Sequence, residues 1–142
     1  MDDNDGVPPI TSAELLLEVP GGADLLRWFE GRVPSFHDAE VLTLALDRKA
    51  ETGNVRIYTF ELTPDLDEKG FFVLTKHVAV SFQLSGITNL ELTDFNHQNV
   101  IDGLLLSRTE SGGFRLELEP CWGLFGFIEA QTVTIGIEPG KP

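Results

Sequence analysis

Residues 71–84, FFVLTKHVAVSFQL, decide the fold. Apolar and polar side chains alternate along this stretch, which is the pattern of a β-strand with one buried face. Lys76 is the one interruption, and a strand of this length is expected to bend or to change partner midway. The side chains predicted to face inward are Phe72, Leu74, Val78, Val80, Phe82 and Leu84.

Shorter segments with strand patterns lie on both sides of this stretch. In residues 41–47 the alternation predicts that Leu42, Leu44 and Leu46 face inward, and residues 55–62 are apolar on both faces, as in a central or bulged strand. Ser85-Gly86 reads as a turn into a further strand. The remaining strand patterns cover residues 87–94, 100–108, 114–119 and 127–137, which makes about seven strands.

The N-terminal fifth has helical patterns instead. Residues 11–17 predict one or two turns that end before Pro20, and residues 23–30 predict a second short helix with Gly31 as its C-terminal cap. The expected fold class is α+β, mostly antiparallel β: a curled sheet, sandwich or partial barrel, with one or two short helices packed on it. Residues 1–10 are predicted to be a flexible acidic arm and residues 11–139 a single domain.

The charge balance restricts the partners. The chain has 10 Lys and Arg against 23 Asp and Glu, a formal net charge of −13, and no basic cluster offsets it. Nucleic acids and anionic membrane surfaces need a basic footprint, so neither is expected as a partner. A negative surface fits a basic protein instead. The acidic residues expected to steer such a partner are Asp65, Asp67, Glu68, Glu91, Glu117 and Glu119.

Cysteine usage allows a reducing compartment, and the first residues do not have the pattern of a secretory signal. Cys121 is the only cysteine, so no intrachain disulfide can form, and its place between Pro120 and Trp122 predicts a buried structural thiol. The start of the chain is acidic where a secretory signal needs basic residues, and no apolar run approaches the length of a membrane span. The expected location is the cytoplasm.

Two histidine segments are the candidates for chemistry. In the first, a histidine beside two carboxylates stands where a strand begins; in the second, a histidine lies in an amide-rich loop. Neighbouring strand residues point to opposite faces, which is a poor local geometry for metal binding, but the two segments could still meet at one end of the sheet. The alternative is that each segment satisfies its own backbone as a polar cluster. The candidate residues are His37, Asp38, Glu40, Asn96, His97 and Asn99.

No other catalytic or cofactor signature is present. The sequence has no nucleophile elbow, P-loop, dinucleotide fingerprint, zinc-protease motif or paired C-x-x-C, so no metal, cofactor or catalytic residue is predicted. The aromatic residues are expected to lie mostly in the core, including the glycine-flanked Trp122; the alternative is that residues 122–126 line a ligand pocket.

Three segments together resemble a known family. Residues 34–41, PSFHDAEV, residues 94–101, DFNHQNVI, and residues 123–126, GLFG, resemble the immunity protein 50 family of bacterial polymorphic-toxin systems and its uncharacterised relatives. The resemblance extends from about Trp28 to Glu138. It implies a cytoplasmic, non-catalytic protein that binds and blocks a cognate toxin domain, and it implies no catalytic residues.

The function expected from the sequence is therefore stoichiometric binding, as an immunity-type inhibitor of a basic toxin. One alternative is a metal-dependent or small-ligand-binding enzyme that uses His37, Asp38 and His97. Another is a structural or oligomerising module in which two copies pair as a homodimer through an exposed sheet edge.

Overall fold

The computed structural model describes residues 11–142, which form two short helices followed by six strands. The predicted acidic arm, residues 1–10, lies outside the described residues. A mostly antiparallel β fold with two short helices is confirmed for the described part. The elements are α1 (Ala13–Glu18), α2 (Gly22–Trp28), β1 (Ala39–Asp47), β2 (Thr52–Leu66), β3 (Phe72–Thr93), β4 (Val100–Arg108), β5 (Phe114–Trp122) and β6 (Phe125–Pro139).

All six strands belong to one antiparallel sheet, in the order β1-β2-β3-β6-β5-β4. The long strand β3 pairs with β2 over residues 72–85 and with β6 over residues 78–93. The two ends of the order, β1 and β4, meet only through two residue pairs, Ala39 with Ile101 and Glu40 with Val100. This short contact closes the sheet on itself.

The structure has six strands where the sequence predicts about seven, because Ser85-Gly86 is not a turn between strands. Gly86 has a φ of 69° and the register slips between Ile87 and Asn89, so the chain bends there. The ladder to β6 nevertheless continues on both sides of the bend. Residues 72–93 therefore form one strand, which bends midway, as expected from its length.

One hydrophobic core includes residues from both helices and all six strands. Alternate residues of β2, β3 and β6 point into it, among them Ile57, Phe82 and Ile135. Phe82 is 1% exposed, and its ring lies 6.0 Å from that of the buried Phe36. The helices and their flanks contribute Leu15, Leu16, Val19, Leu25, Leu26 and Phe29.

The prediction that the β1 leucines face inward is wrong for Leu46, which is 46% exposed. Leu42 and Leu44 are half-buried, and Leu44 packs against the core. A register irregularity between Val41 and Thr43 shifts the alternation by one residue, so the buried position before it is not that of Leu42. Leu46 lies on the same face as Leu44 and is exposed because β1 ends there. Val41, at 3% exposure, takes the buried position instead.

The helices begin where the sequence predicts and attach to the sheet by their backbone. The Ser12 side chain caps α1 by accepting a hydrogen bond from the Leu15 amide. Between the helices, the Ile135 amide of β6 donates to the Pro20 carbonyl at 2.8 Å. Gly21 follows with a φ of 86°, so close to the Ile135 carbonyl that no side chain fits there.

Where β4 separates from β1, other groups satisfy its backbone. The Val41 amide donates to the Asn99 carbonyl at 2.8 Å, just beyond the last strand pair. Further along β4, the Leu106 amide donates to the hydroxyl of Thr11, which is 5% exposed. Thr11 thus takes the place of a neighbouring strand.

Candidate functional site

The clearest surface feature is a two-stranded extension of the sheet, residues 59–77, which we call the projecting hairpin. The pairing of β1 with β2 stops at Tyr58, and the pairing of β6 with β3 stops at Val78. Beyond these positions β2 and β3 pair only with each other, up to Leu66 opposite Phe72. The hairpin is therefore a ribbon without a neighbouring strand on either side in the described part of the chain.

The outer face of the projecting hairpin is apolar and exposed. Leu62 lies opposite Leu74, and Leu66 lies opposite Phe72, so the four side chains share one face. Their exposed fractions are 61%, 37%, 61% and 55%, and Phe71 in the turn is 68% exposed. Ten large hydrophobic residues are exposed in residues 11–142, and these are five of them. Exposed apolar side chains are normal when scattered, but a cluster indicates a binding surface.

The opposite, inner face of the projecting hairpin is polar. Glu61 forms ion pairs with Arg32 and Lys76, and Lys76 also reaches Glu30, 2.8 Å from Nζ to Oε1. The hydrogen bond from Lys76 holds the pKa of Glu30 below its ordinary value. Within the ribbon, the Thr63 hydroxyl donates to the Val73 carbonyl. The polar and apolar faces are thus reversed relative to the sheet below, whose inner face is the core.

Three aromatic rings form the base of the outer face. Tyr58 stacks on His77 with ring centroids 5.9 Å apart, and Phe60 packs against both rings. The His77 Nε2–H donates to the Leu74 carbonyl at 3.2 Å, which leaves Nδ1 to accept from the Tyr58 hydroxyl at 2.6 Å. Burial, with a smaller effect of Glu40, raises the pKa of Tyr58 above its ordinary value, so the phenol remains a donor. The position of His77 on the polar side of the strand pattern suggests a solvent-facing ring. In the structure the ring is instead stacked on Tyr58 and hydrogen-bonded through both nitrogens.

The tip of the projecting hairpin is acidic. Asp65, Asp67 and Glu68 lie here, close in sequence to the exposed Leu66 and Phe71. Lys69 is the one basic residue between Asp65 and Phe71. The Asp67 carboxylate closes the turn by accepting hydrogen bonds from the amides of Lys69 and Phe71. Three of the six acidic residues expected to steer a partner therefore lie on the same hairpin as the apolar surface.

The other three predicted acidic residues lie away from the hairpin. Glu91 and Glu117 flank Phe127 across neighbouring strands, and Glu119 lies opposite Gly103 on β4. Arg115 lies over the Phe127 ring at 3.8 Å and pairs with Glu117 and with Glu129. This face therefore carries its own counter-charge, unlike the hairpin tip.

The first histidine segment is a strained corner on the surface. Phe36 and Asp38 both have left-handed backbone, with φ of 58° and 60°, which is uncommon for residues other than glycine. This backbone turns Phe36 into the core and leaves His37 and Asp38 exposed. Glu40 follows in β1, half-buried, next to Tyr58 on β2. The corner thus connects α2 to β1 and packs the Phe36 ring against Phe82.

His37 interacts with Asp102 on β4. Its Nδ1 lies 3.1 Å from both the backbone carbonyl and the carboxylate of Asp102, and its Nε2 lies 3.6 Å from the Asp38 carboxylate. The hydrogen bond to the Asp102 carbonyl contributes most to raising the pKa of His37 above its ordinary value; burial opposes it, and the Asp38 and Asp102 carboxylates add smaller contributions. A raised pKa means that the charged contact stabilises the fold below the unfolded pKa and is lost as pH rises through the folded pKa.

We expect Asp102→Asn to lower the pKa of His37 without returning it fully to the ordinary value. The substitution removes the carboxylate, but the backbone carbonyl that contributes most to the raised pKa remains. An NMR titration of the His37 ring measures the change. Glu110→Gln, in the turn at the other end of β4, is the control and should leave the titration unaltered. An unchanged His37 pKa in Asp102→Asn would contradict the assignment of this contact.

The second histidine segment is closed by its own side chains. The Asn99 carboxamide, 3% exposed, accepts hydrogen bonds from the amides of Asn96 and Leu124 and donates to the Asn96 carbonyl. His97 is exposed and bonds to the Asn96 side chain. Asn99 therefore ties this loop to the connector between β5 and β6.

The two histidine segments meet through their backbones, where Glu40 pairs with Val100 and the Val41 amide bonds to Asn99, but the two histidine side chains have different partners. His37 bonds to Asp102, whereas His97 bonds within its own loop. Residues 11–142 hold no group of three or more His, Cys, Asp or Glu placed to bind a metal ion. A convergence of His37, Asp38 and His97 on a metal ion, the possibility left open by the sequence, is thus not found among the described residues.

Two further predictions about this end of the molecule are wrong. Cys121 is exposed rather than buried, because β5 extends past its last contact with the core at Leu118. Trp122 is 58% exposed and Phe95 is 56% exposed, so neither is a core residue. Aromatic side chains can be buried or exposed, so residue type alone does not predict the burial of an aromatic near a strand end. No other layer of the described part of the protein covers the sheet there.

Comparison of the chain with protein-family models, with curated proteins and with solved structures finds no match. The resemblance to the immunity protein 50 family therefore stays a prediction. In the described part of the chain, neither helix has the length and apolar character needed to span a bilayer.

Proposed function

We propose that this protein is a non-catalytic binding protein of the immunity type, and that it holds a basic protein partner on the projecting hairpin. The observation that carries the proposal is the exposed apolar outer face of Leu62, Leu66, Phe72 and Leu74 beside an acidic tip. Apolar side chains of this kind supply binding energy, and the neighbouring carboxylates supply orientation and rate of encounter.

The charges favour a basic partner. Glu61 forms ion pairs with Lys76 of the hairpin and with Arg32 outside it, but Asp65, Asp67 and Glu68 form no ion pair among the described residues. The net charge of the whole chain, −13, has the same sign as the charge of the hairpin tip. A partner that carries Lys and Arg around an apolar centre complements this surface. The family resemblance implies a toxin domain as the partner, and the acidity of this chain fits a basic one.

The apolar hairpin also has the character of a segment that could enter a lipid surface. Its acidic tip opposes this, because carboxylates are repelled by anionic headgroups and are costly to place beneath neutral ones. We therefore argue for a protein partner and treat lipid binding as an outcome of the test.

The test compares two double variants matched for residue type and exposure. Leu62→Ser with Phe72→Ser removes side chains of the hairpin that are 61% and 55% exposed, and Leu17→Ser with Phe95→Ser removes side chains elsewhere that are 64% and 56% exposed. Each protein is co-expressed with the product of each gene adjacent to its own, and growth and co-purification are measured. Because interface anchors contribute about 1–2 kcal/mol each, we expect the hairpin variant to lose roughly 100-fold in affinity.

The control variant should bind and protect growth like the wild type. Equal binding by the hairpin variant would overturn the proposed surface, and absence of any complex or growth effect with the wild type would overturn the immunity function. Sedimentation with phosphatidylcholine vesicles that depends on Phe72 would replace the protein partner by a lipid surface. Sedimentation as a dimer that the hairpin variant abolishes would favour the oligomerising module.

A further inference from the structure

We infer that the projecting hairpin receives its partner as a basic amphipathic helix laid across its outer face, and not as a strand added to its edge. The inference rests on the proposed function and specifies how that surface binds. A two-stranded ribbon without neighbouring strands can bind a partner in two ways, through the backbone of its edge or through its side chains.

The β3 edge of the hairpin is already occupied at three carbonyls. The Leu74 carbonyl accepts from the His77 ring, the Lys76 carbonyl accepts from the Trp28 indole at 2.9 Å, and the His77 carbonyl accepts from the Gly140 amide at 2.7 Å. Lys76 also has a φ of 54°, so the edge is kinked where a new strand would have to follow it. Strand addition here would break existing hydrogen bonds.

The β2 edge is irregular as well. Pro64 has no N–H to donate, and the register slips between Leu62 and Leu66, where β2 has two more residues than β3. Proline and irregular pairing are two of the ways in which proteins keep an edge strand from accepting another strand. Neither edge therefore offers a regular ladder.

A partner on the outer face must then satisfy its own backbone hydrogen bonds, which a helix does. The face is two side-chain rows wide: one row has Tyr58, Phe60, Leu62 and Leu66, and the other has His77, Leu74 and Phe72. The ladder has six steps from Tyr58 to Leu66, because β2 has two extra residues after Leu62. The face is therefore roughly 20 Å long, the length of a helix of about 13 residues. The carboxylates at the tip, Asp65, Asp67 and Glu68, favour Lys and Arg on the flanks of that helix.

Two synthetic peptides of identical composition separate helix binding from strand addition. Both have about 18 residues of leucine and lysine; one places leucine with helical period, and the other alternates leucine and lysine. Affinities are measured by NMR titration of the full-length protein, together with amide hydrogen exchange. We expect the helical-period peptide to bind at least tenfold more tightly than the alternating one, and to shift resonances of Phe60, Leu62 and Leu74.

The same titration with a helical-period peptide of leucine and glutamate should show at least tenfold weaker binding. Leu62→Ser with Phe72→Ser should abolish the preference between periods, and Leu17→Ser with Phe95→Ser should retain it. The exchange of the Phe72 and Leu74 amides should not slow on binding, because no new backbone hydrogen bonds form at the edge.

Tighter binding of the alternating peptide, with slowed exchange at Phe72 and Leu74, would overturn the helix inference and leave the proposed function intact. Failure of the helical-period peptide to bind the hairpin at all would also overturn it. The proposed function fails separately, in the co-expression assay, which uses no peptide.

Discussion

Replacing Gly21 with alanine is expected to destabilise the protein by about 2–5 kcal/mol, by adding a left-handed backbone cost to a steric clash. Gly21 has a φ of 86°, and a Cβ built on it would lie 1.7 Å from the Ile135 carbonyl oxygen and 2.7 Å from its carbon. Both contacts are backbone atoms, so no side chain can rotate away. Relief requires the link between α1 and α2 to move off β6.

Such a movement affects the core directly. The Ile135 amide bonds to the Pro20 carbonyl next to Gly21, and the helices on either side contribute buried residues that include Leu16 and Leu25. Displacing the link would lengthen this hydrogen bond and open the contact between the helices and the sheet. The effect is therefore expected to appear as a loss of global stability in urea denaturation followed by circular dichroism.

Gly31→Ala is the matched control. Gly31 has almost the same backbone angle, φ 87°, but nothing lies within 4 Å of the point where the Cβ of an alanine would stand. Only the left-handed backbone cost of roughly 1–2 kcal/mol applies there. Equal losses of stability in the two variants would show that the approach of Gly21 to β6 does not contribute.

The second large effect is expected from Phe82→Ala, at about 3–5 kcal/mol. Phe82 is 1% exposed in the middle of β3, opposite Val55 on β2 and Ile135 on β6, with its ring against Phe36. Its removal leaves a cavity among three strands whose backbone positions are held by ladders on both sides. Because the cavity cannot collapse, the free energy of unfolding falls both by the lost burial of the ring and by the cost of the empty space.

Phe71→Ala provides the contrast for the same residue type. Phe71 is 68% exposed in the turn of the projecting hairpin, and surface substitutions of this kind change stability by no more than about 0.5 kcal/mol. Thermal or urea denaturation of the two variants gives the comparison. A loss of less than about 1 kcal/mol in Phe82→Ala would mean that the core repacks around this site.

Local patterns are sufficient to predict most elements. The helices begin near Ser12 and end near Gly31 as predicted, because caps, prolines and glycines act within a few residues. The alternation of residues 78–84 correctly indicates a strand with Val78, Val80 and Phe82 buried. The number of strands is predicted less well, because a Ser-Gly pair such as Ser85-Gly86 occurs both in bends within a strand and in turns between strands. Only the ladder from β3 to β6, which continues past Gly86, shows that this one is a bend.

The candidate surface is predicted only in part. Charge identifies Asp65, Asp67 and Glu68, but it does not reveal the apolar surface next to them. The signal of that surface is present in residues 58–62 of β2, whose second face is apolar, a pattern that also indicates a central or bulged strand. β2 is central only as far as Tyr58, where its pairing with β1 stops, and a register irregularity follows between Thr59 and Glu61. Where that pairing stops depends on distant segments, so the local pattern does not show it.

The order of residues along this chain specifies its class, mostly antiparallel β with two short helices, because helix caps and period-two alternation are local physical properties. Tertiary structure decides which apolar residues are buried. Leu74 and Phe82 belong to the same alternating series of β3, yet Phe82 is 1% exposed and Leu74 is 37% exposed. Phe82 faces the core between β2 and β6, whereas the register irregularity at Lys76 turns Leu74 to the outer face of a ribbon in which β3 has only β2 beside it.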